Sequence, residues 1–181
     1  MMSFLRALAI GVALAAFVTG CSSPAAHFYT LTATAAPGGA TSRASVAVGP
    51  VSIPNQVSID DFNRWAAPVQ DNLARVVADN LVALLGTPRV TLYPTLAADV
   101  EFRVQIEVRN FDSAPGKYAL LDAVWTVRRM KDGKSETGRS SVRETITDSG
   151  YDALAAAHSR AVARMSQDIA DAVLALERAP A

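Results

Sequence analysis

The sequence predicts an α+β fold: an antiparallel β-sheet with two long amphipathic helices packed on one face. Two observations carry this. Apolar residues alternate with polar ones over 99–108 and again over 119–127, with turn signals after each run. Over 69–85 and 154–176 the apolar residues recur instead at helical spacing. Hairpin strands with helices set apart from them make a layered domain whose helices cover one side of the sheet.

The elements follow in order from their local chemistry. Arg6 precedes the uncharged apolar run Ala7 to Val18, which closes on Thr19-Gly20. That run is shorter than the roughly 20 residues needed to cross a bilayer, so it reads as the apolar part of a signal peptide rather than an anchor. Cys21, the only cysteine among 181 residues, follows small residues in the arrangement of a lipoprotein cleavage site. The expectation is removal of residues 1–20 and lipidation of Cys21. A plain secretory peptide cut nearby would leave a lone free thiol, which is unusual in an exported protein. More than one acyl chain, at about 0.8 kcal/mol per buried methylene, holds a protein on a membrane without an amphipathic helix. Ser22 follows the cysteine, and by resemblance to sorted lipoproteins the lack of Asp there favours the outer membrane.

Without residues 1–20, 161 residues remain, with 16 basic residues against 17 acidic ones. The length suits one domain with its own core, and the balance offers no electrostatic case for nucleic acid. With no second cysteine there is no disulfide, so packing alone must stabilise the fold. Residues 21–26 form a short lipidated tether, and 27–181 the single domain.

His27 to Thr32 is strand-like, and Ala33 to Ser45, rich in Ala, Gly, Thr and Ser, reads as a loop. Val46 to Ile53 is a strand ending at Pro54. Asp60 or Asp61 can cap the helix that follows, with Pro68 in its first turn. Its stripe is Val69, Leu73, Val76, Val77, Leu81, Leu84 and Leu85, and Gly86 ends it. Asn80, near that stripe, is expected to be a hydrogen-bonded packing residue. Arg89 to Tyr93 is a short strand. Asp99 to Val108 turns Val100, Phe102, Val104, Ile106 and Val108 one way and Glu101, Arg103, Gln105, Glu107 and Arg109 the other. Phe111 breaks that parity, which predicts a bulge near Asn110 or the strand's end. Pro115-Gly116 is a turn, and the next strand buries Ala119, Leu121, Ala123, Trp125 and Val127. Asp132-Gly133 is a hairpin turn, and Ser140 to Thr147 is polar enough for an edge. The last helix runs from after Asp148-Ser149 to about Arg178, with the stripe Leu154, Ala161, Val162, Met165, Ile169, Ala172, Val173 and Leu176.

Nucleophilic chemistry needs a nucleophile, a base and an orienting group. The only histidines are His27, beside the tether, and His158, at the edge of the last stripe, where packing or capping explains it. There is no Cys-His cluster, no H-E-x-x-H and no Gly-rich phosphate loop, so no metal site and no cofactor is expected. Asp60, Asp61, Glu101, Glu107 and Asp122 could pair as carboxylates, but Glu101 and Glu107 sit among arginines on a wet face. Trp125 reads as core. Trp65 is balanced between core and partner contact.

Taken together, the residues around Cys21, Phe28-Tyr29-Thr30-Leu31, Val48-Gly49-Pro50-Val51-Ser52-Ile53-Pro54, Phe62-Asn63-Arg64-Trp65-Ala66-Ala67-Pro68, Asn80-Leu81, Val108-Arg109-Asn110-Phe111, Trp125 and Gly150-Tyr151-Asp152 resemble the PqiC/YmbA-like lipoproteins. These are auxiliary subunits of ABC-type transporters that contain MCE proteins. The resemblance implies an outer-membrane lipoprotein on the periplasmic face, with no catalytic residue. It further implies docking, often as a homo-oligomeric ring, on a periplasmic MCE-domain protein in intermembrane lipid transport. One departure stands out: only Asn55 to Asp61 joins the Ile53-Pro54 and Phe62-Asn63-Arg64-Trp65 motifs, where the family usually carries a further, partly strand-like segment.

A different class of function, a lipoprotein regulator of an envelope enzyme such as a cell-wall synthase, could share a small tethered α+β domain. Reaching across the periplasm then calls for a long tether, and the five residues Ser22 to Ala26 span under about 18 Å when extended. A hydrolase would need His158 to be catalytic.

Overall fold

The computed structural model describes residues 27–39, 41–53, 63–65, 69–94, 100–148 and 150–180. The expected signal segment, Cys21, the tether, the joint Asn55 to Asp61 and Pro68 lie outside them. The described strands are β1 (His27–Tyr29), β2 (Val46–Ser52), β3 (Asn63–Trp65), β4 (Val90–Leu92), β5 (Phe102–Ala114), β6 (Tyr118–Arg129) and β7 (Ser135–Thr145). The helices are α1 (Val69–Leu85), between β3 and β4, and α2 (Tyr151–Arg178), after β7.

The fold is α+β, with a five-stranded sheet in the order β4-β2-β5-β6-β7 and a separate two-stranded pair, β1-β3. Helix α1 lies against β2 and β4, α2 lies against β6 and β7, and the two helices pack side by side on that one face. The expected antiparallel pattern holds for the β5-β6-β7 meander, but the sheet as a whole is mixed. β2 pairs in parallel with both β4 and β5, and β1 pairs in parallel with β3. The reason is connectivity. After β2 the chain crosses over through α1, so β4 returns in the same direction, as parallel neighbours require. The continuous run Val46-Ala47-Val48, buried throughout, is the local sign of such a strand, covered on both faces.

β5 starts three residues later than the alternation suggested and continues six residues beyond Val108, because a register shift between Val108 and Asn110 resets its parity. Phe111 thereby returns to the core face opposite Leu121. β7 is an edge strand, as its polarity predicted. α1 ends where Gly86 takes φ +64°, a left-handed conformation open to glycine at little cost. The core fills the space between helices and sheet and includes the expected stripes of both helices and the inward residues of β5 and β6. A smaller cluster of Ala119, Ile146, Leu154 and Ala157 closes the end where α2 begins.

Trp125 belongs to that core, and its position depends on the facing residue. Gly138 is its cross-strand partner, and a methyl group on Gly138 would lie 2.2 Å from the indole Cζ2. The indole Nε1 donates to Ser140 Oγ at 3.0 Å, so its one polar atom is satisfied. Gly138→Ala therefore forces the indole out of place and should destabilise the fold by about 1–3 kcal/mol. Denaturant unfolding followed by tryptophan fluorescence measures this; a variant as stable as the wild type, with unchanged emission, would refute the packing argument.

Candidate functional site

The stretch expected to be a loop, Ala33 to Ser45, has no regular secondary structure, yet it is tied down along its length as a strap across the two helices. Leu31 enters the core. The Thr32 backbone N–H donates to Ser159 Oγ at 3.1 Å, and Thr34 Oγ1 donates to the Ser159 carbonyl. Thr34 and Ala35 N–H both donate to Asn80 Oδ1, at 3.1 and 3.0 Å. Gly38 N–H reaches the Ala83 carbonyl, and Ser42 N–H the Leu85 carbonyl at 2.9 Å. A Cβ on Gly38 would lie 2.6 Å from the Leu84 carbonyl oxygen, so no larger residue fits that approach.

Asn80 is the expected packing residue, and it is 0% exposed. Its Nδ2 donates to Ser166 Oγ at 3.3 Å, so one side chain joins strap, α1 and α2. Ser159 and Ser166 donate their own hydroxyl protons to carbonyls one turn back, which leaves their oxygens free to accept.

These contacts give the molecule two ends. The strap starts where α2 begins, with Tyr29 and Tyr151 rings 5.6 Å apart, and finishes where α2 ends, with Ser42 Oγ donating to Glu177. The first of these is the entry end, where the described chain begins at His27. Trp65, the expected partner-contact residue, lies in β3 opposite Tyr29, so its backbone belongs to this end too.

The far end is closed by a residue that the sequence pattern did not single out. Arg129 continues the inward parity of β6 after Val127 and is 3% exposed. Its guanidinium pairs with both Asp132 oxygens, at 3.0 and 2.6 Å. It also donates to the carbonyls of Leu176, Ala179 and Pro180 at the end of α2. A fixed cation over the negative end of a helix dipole, with its donors used, is a favourable way to place a charge in a core. The Arg129 guanidinium is the main cause that holds the Asp132 carboxyl down at about 2. The sign of this site was a charge at a core-facing position. Its carbonyl partners lie 47 to 51 residues away, beyond any local pattern.

Among the described residues no carboxylate pair forms from the expected candidates Glu101, Glu107 and Asp122. Glu101 accepts from Ser45 N–H at 2.8 Å, Glu107 sits 3.7 Å from Arg109 in the open, and Asp122 is gripped by Arg139, which lowers its pKa. Asp60 and Asp61 lie outside the described residues. His158 is 1% exposed and stacks on Phe111 with ring centroids 4.0 Å apart. It is a core residue in a hydrophobic layer, as packing predicted. Among the described residues no group of His, Cys, Asp and Glu could hold a metal ion, and no helix is long and apolar enough to cross a membrane.

Beside the strap, at the N-terminal half of α2, an open trough of about 490 Å³ is lined by Thr32, Thr34, Ala156, Arg160, Ala163 and Arg164. Its two arginines share Glu144 of β7, with Nε to oxygen distances of 3.0 and 3.1 Å. Glu144 is buried while both arginines are half-exposed or more.

Burial lowers the His158 pKa to about 4, the charge of Asp112 opposing that shift. Between that value and the ordinary 6.5 the unfolded chain takes up a proton that the folded chain refuses, so stability rises with pH through this window. It is complete above the unfolded value and falls as pH drops toward the folded one, by up to about 3 kcal/mol. Urea unfolding at pH 7 and pH 5 should show the loss in the wild type and a smaller one in His158→Gln; equal losses in the two proteins would place the cause elsewhere.

Comparison with known proteins now bears on this arrangement. No curated protein matches the chain. A crystal structure of an uncharacterized protein aligns with a TM-score of 0.67 at 17% identity, covering 82% of this chain and 99% of that one. Protein XCC0632 from Xanthomonas campestris, a DUF330 protein, aligns with a TM-score of 0.63 at 16% identity, over 84% of this chain and 98% of its own. At these identities the likeness is one of fold. The family model for ABC-type transport auxiliary lipoprotein components matches residues 54–170. That span is more than half the chain, and the protein belongs to the ABC-type transport auxiliary lipoprotein family, the PqiC/YmbA-like lipoproteins.

Proposed function

We propose that this chain is a non-enzymatic lipoprotein subunit of an MCE-type intermembrane lipid transport system. In this reading residues 1–20 are removed, and lipid on Cys21 holds residues 27–181 on the periplasmic face of the outer membrane. The domain docks there on the periplasmic MCE-domain protein. The observation that carries the reading is the membership in a family of transport auxiliary lipoproteins, joined to a chain that carries a lipoprotein cleavage site at Cys21. The strap supports it. Only five residues separate Cys21 from β1, under about 18 Å, and the chain beyond them is bonded to both helices. A domain held that close to its membrane suits a partner that ends at the membrane. It suits poorly the alternative, a regulator that must reach a cell-wall enzyme.

Assembly into a homo-oligomeric ring belongs to the same proposal and follows the family resemblance. Trp65, at the entry end, is the residue proposed for partner contact.

In cells, Cys21→Ala should lose incorporation of labelled palmitate and leave the outer-membrane fraction, while crosslinking of the wild type should recover an MCE-domain protein. Deletion should raise envelope permeability to hydrophobic compounds. A wild-type protein that yields no MCE-domain crosslink, together with unchanged permeability on deletion, would overturn the proposal.

A further inference from the structure

The trough beside the strap has an uncompensated charge. Glu144 is buried and meets two guanidinium groups, each through its Nε alone. One carboxylate against two guanidinium groups leaves a net charge of one positive. Each guanidinium has five N–H donors, and among the described residues none of the Nη donors of Arg160 or Arg164 has a partner. The next acidic residue along the helix, Asp168, is turned away to Ser140 Oγ. The buried carboxylate thus hydrogen-bonds Arg160 through its Nε edge and holds Arg164 beside it by charge, leaving the Nη groups of both for the paired oxygens of a phosphate. Ala156 and Ala163 leave room, and Thr32 lies at the opposite wall.

The position of the trough says which phosphate. Tyr29 touches Tyr151 at the start of α2, and Arg160 comes nine residues later, about 14 Å along the helix. The tether from Cys21 reaches about 18 Å. The bilayer surface that carries the Cys21 lipid therefore lies within reach of the trough. We propose that Arg160 and Arg164, held on Glu144 beside the Thr32–Thr34 strap, bind phosphodiester headgroups of that bilayer, so that α2 lies against the membrane. This inference rests on the proposed lipidation of Cys21.

The test uses the full lipidated protein in phosphatidylcholine vesicles, with and without phosphatidylglycerol. Since Cys21 is acylated, a cysteine in Gln167→Cys supplies the one free thiol for a fluorophore, one turn beyond Arg164. Nitroxide-headgroup lipids then report its contact with the surface. Quenching should be strong with phosphatidylglycerol and weaken with added salt. The ratio of docked to undocked protein should fall about fivefold or more in the triple variant Glu144→Gln, Arg160→Gln, Arg164→Gln. That variant buries no lone charge, and its unfolding curve confirms that it folds. Acylated, folded protein whose quenching is the same in wild type and triple variant would overturn the contact while leaving the anchor standing. Wild-type protein without acyl groups on Cys21 by mass spectrometry would overturn the anchor and the contact together.

Discussion

One buried amide decides how this protein is put together. Asn80 sits in the seam between α1, α2 and the strap, and uses its oxygen for two backbone N–H groups and its nitrogen for a serine hydroxyl. A buried polar group costs free energy unless its bonding capacity is met, so the amide tolerates few arrangements of its three partners. It fixes the strap at Thr34 and Ala35, where the chain crosses from one helix to the other. Without it, Thr34 and Ala35 would bring unpaired N–H groups against a helix pair, and the strap would gain by moving into solvent.

The rest of the molecule is arranged around that seam. The helices lie on one face of the sheet, side by side, so that the strap can cross both. At the far end Arg129 holds the last carbonyls of α2 against the β6-β7 hairpin. At the end where α2 begins the stabilising contacts are apolar, in the cluster of Ala119, Ile146, Leu154 and Ala157. Charged groups that could do chemistry elsewhere are engaged here in structure: Asp122 with Arg139, Asp132 with Arg129, Glu144 with Arg160 and Arg164.

Much of the fold was legible because it is written locally. The alternation in β5 and β6, the helical stripes, the bulge near Asn110 and the turns at Pro115-Gly116 and Asp132-Gly133 all concern neighbouring residues. The direction of β2 was not, because strand polarity depends on a crossover that the alternation does not encode. The loop at Ala33 to Ser45 was legible but its attachment to the helices was not, since its bonds go to Asn80, Leu85 and Ser159, more than 40 residues away. Arg129 was missed for the same reason, its acceptors being carbonyls with no side-chain signature. Of the site residues read from the sequence, Cys21 lies outside the described residues and Trp65 is placed by its strand pairing, so the anchor rests on the sequence motif and the family.

The strap bonds the first described residues of the chain to both helices, and this is the link between fold and proposed role. Hydrogen exchange of the intact protein tests it most directly at two amides. If Asn80 clamps the strap, the N–H groups of Thr34 and Ala35 exchange as slowly as those of the central strand β5, opening only with global unfolding. Exchange at those two positions as fast as in an exposed, unbonded amide would show a strap that comes away from the helices, and would contradict the account.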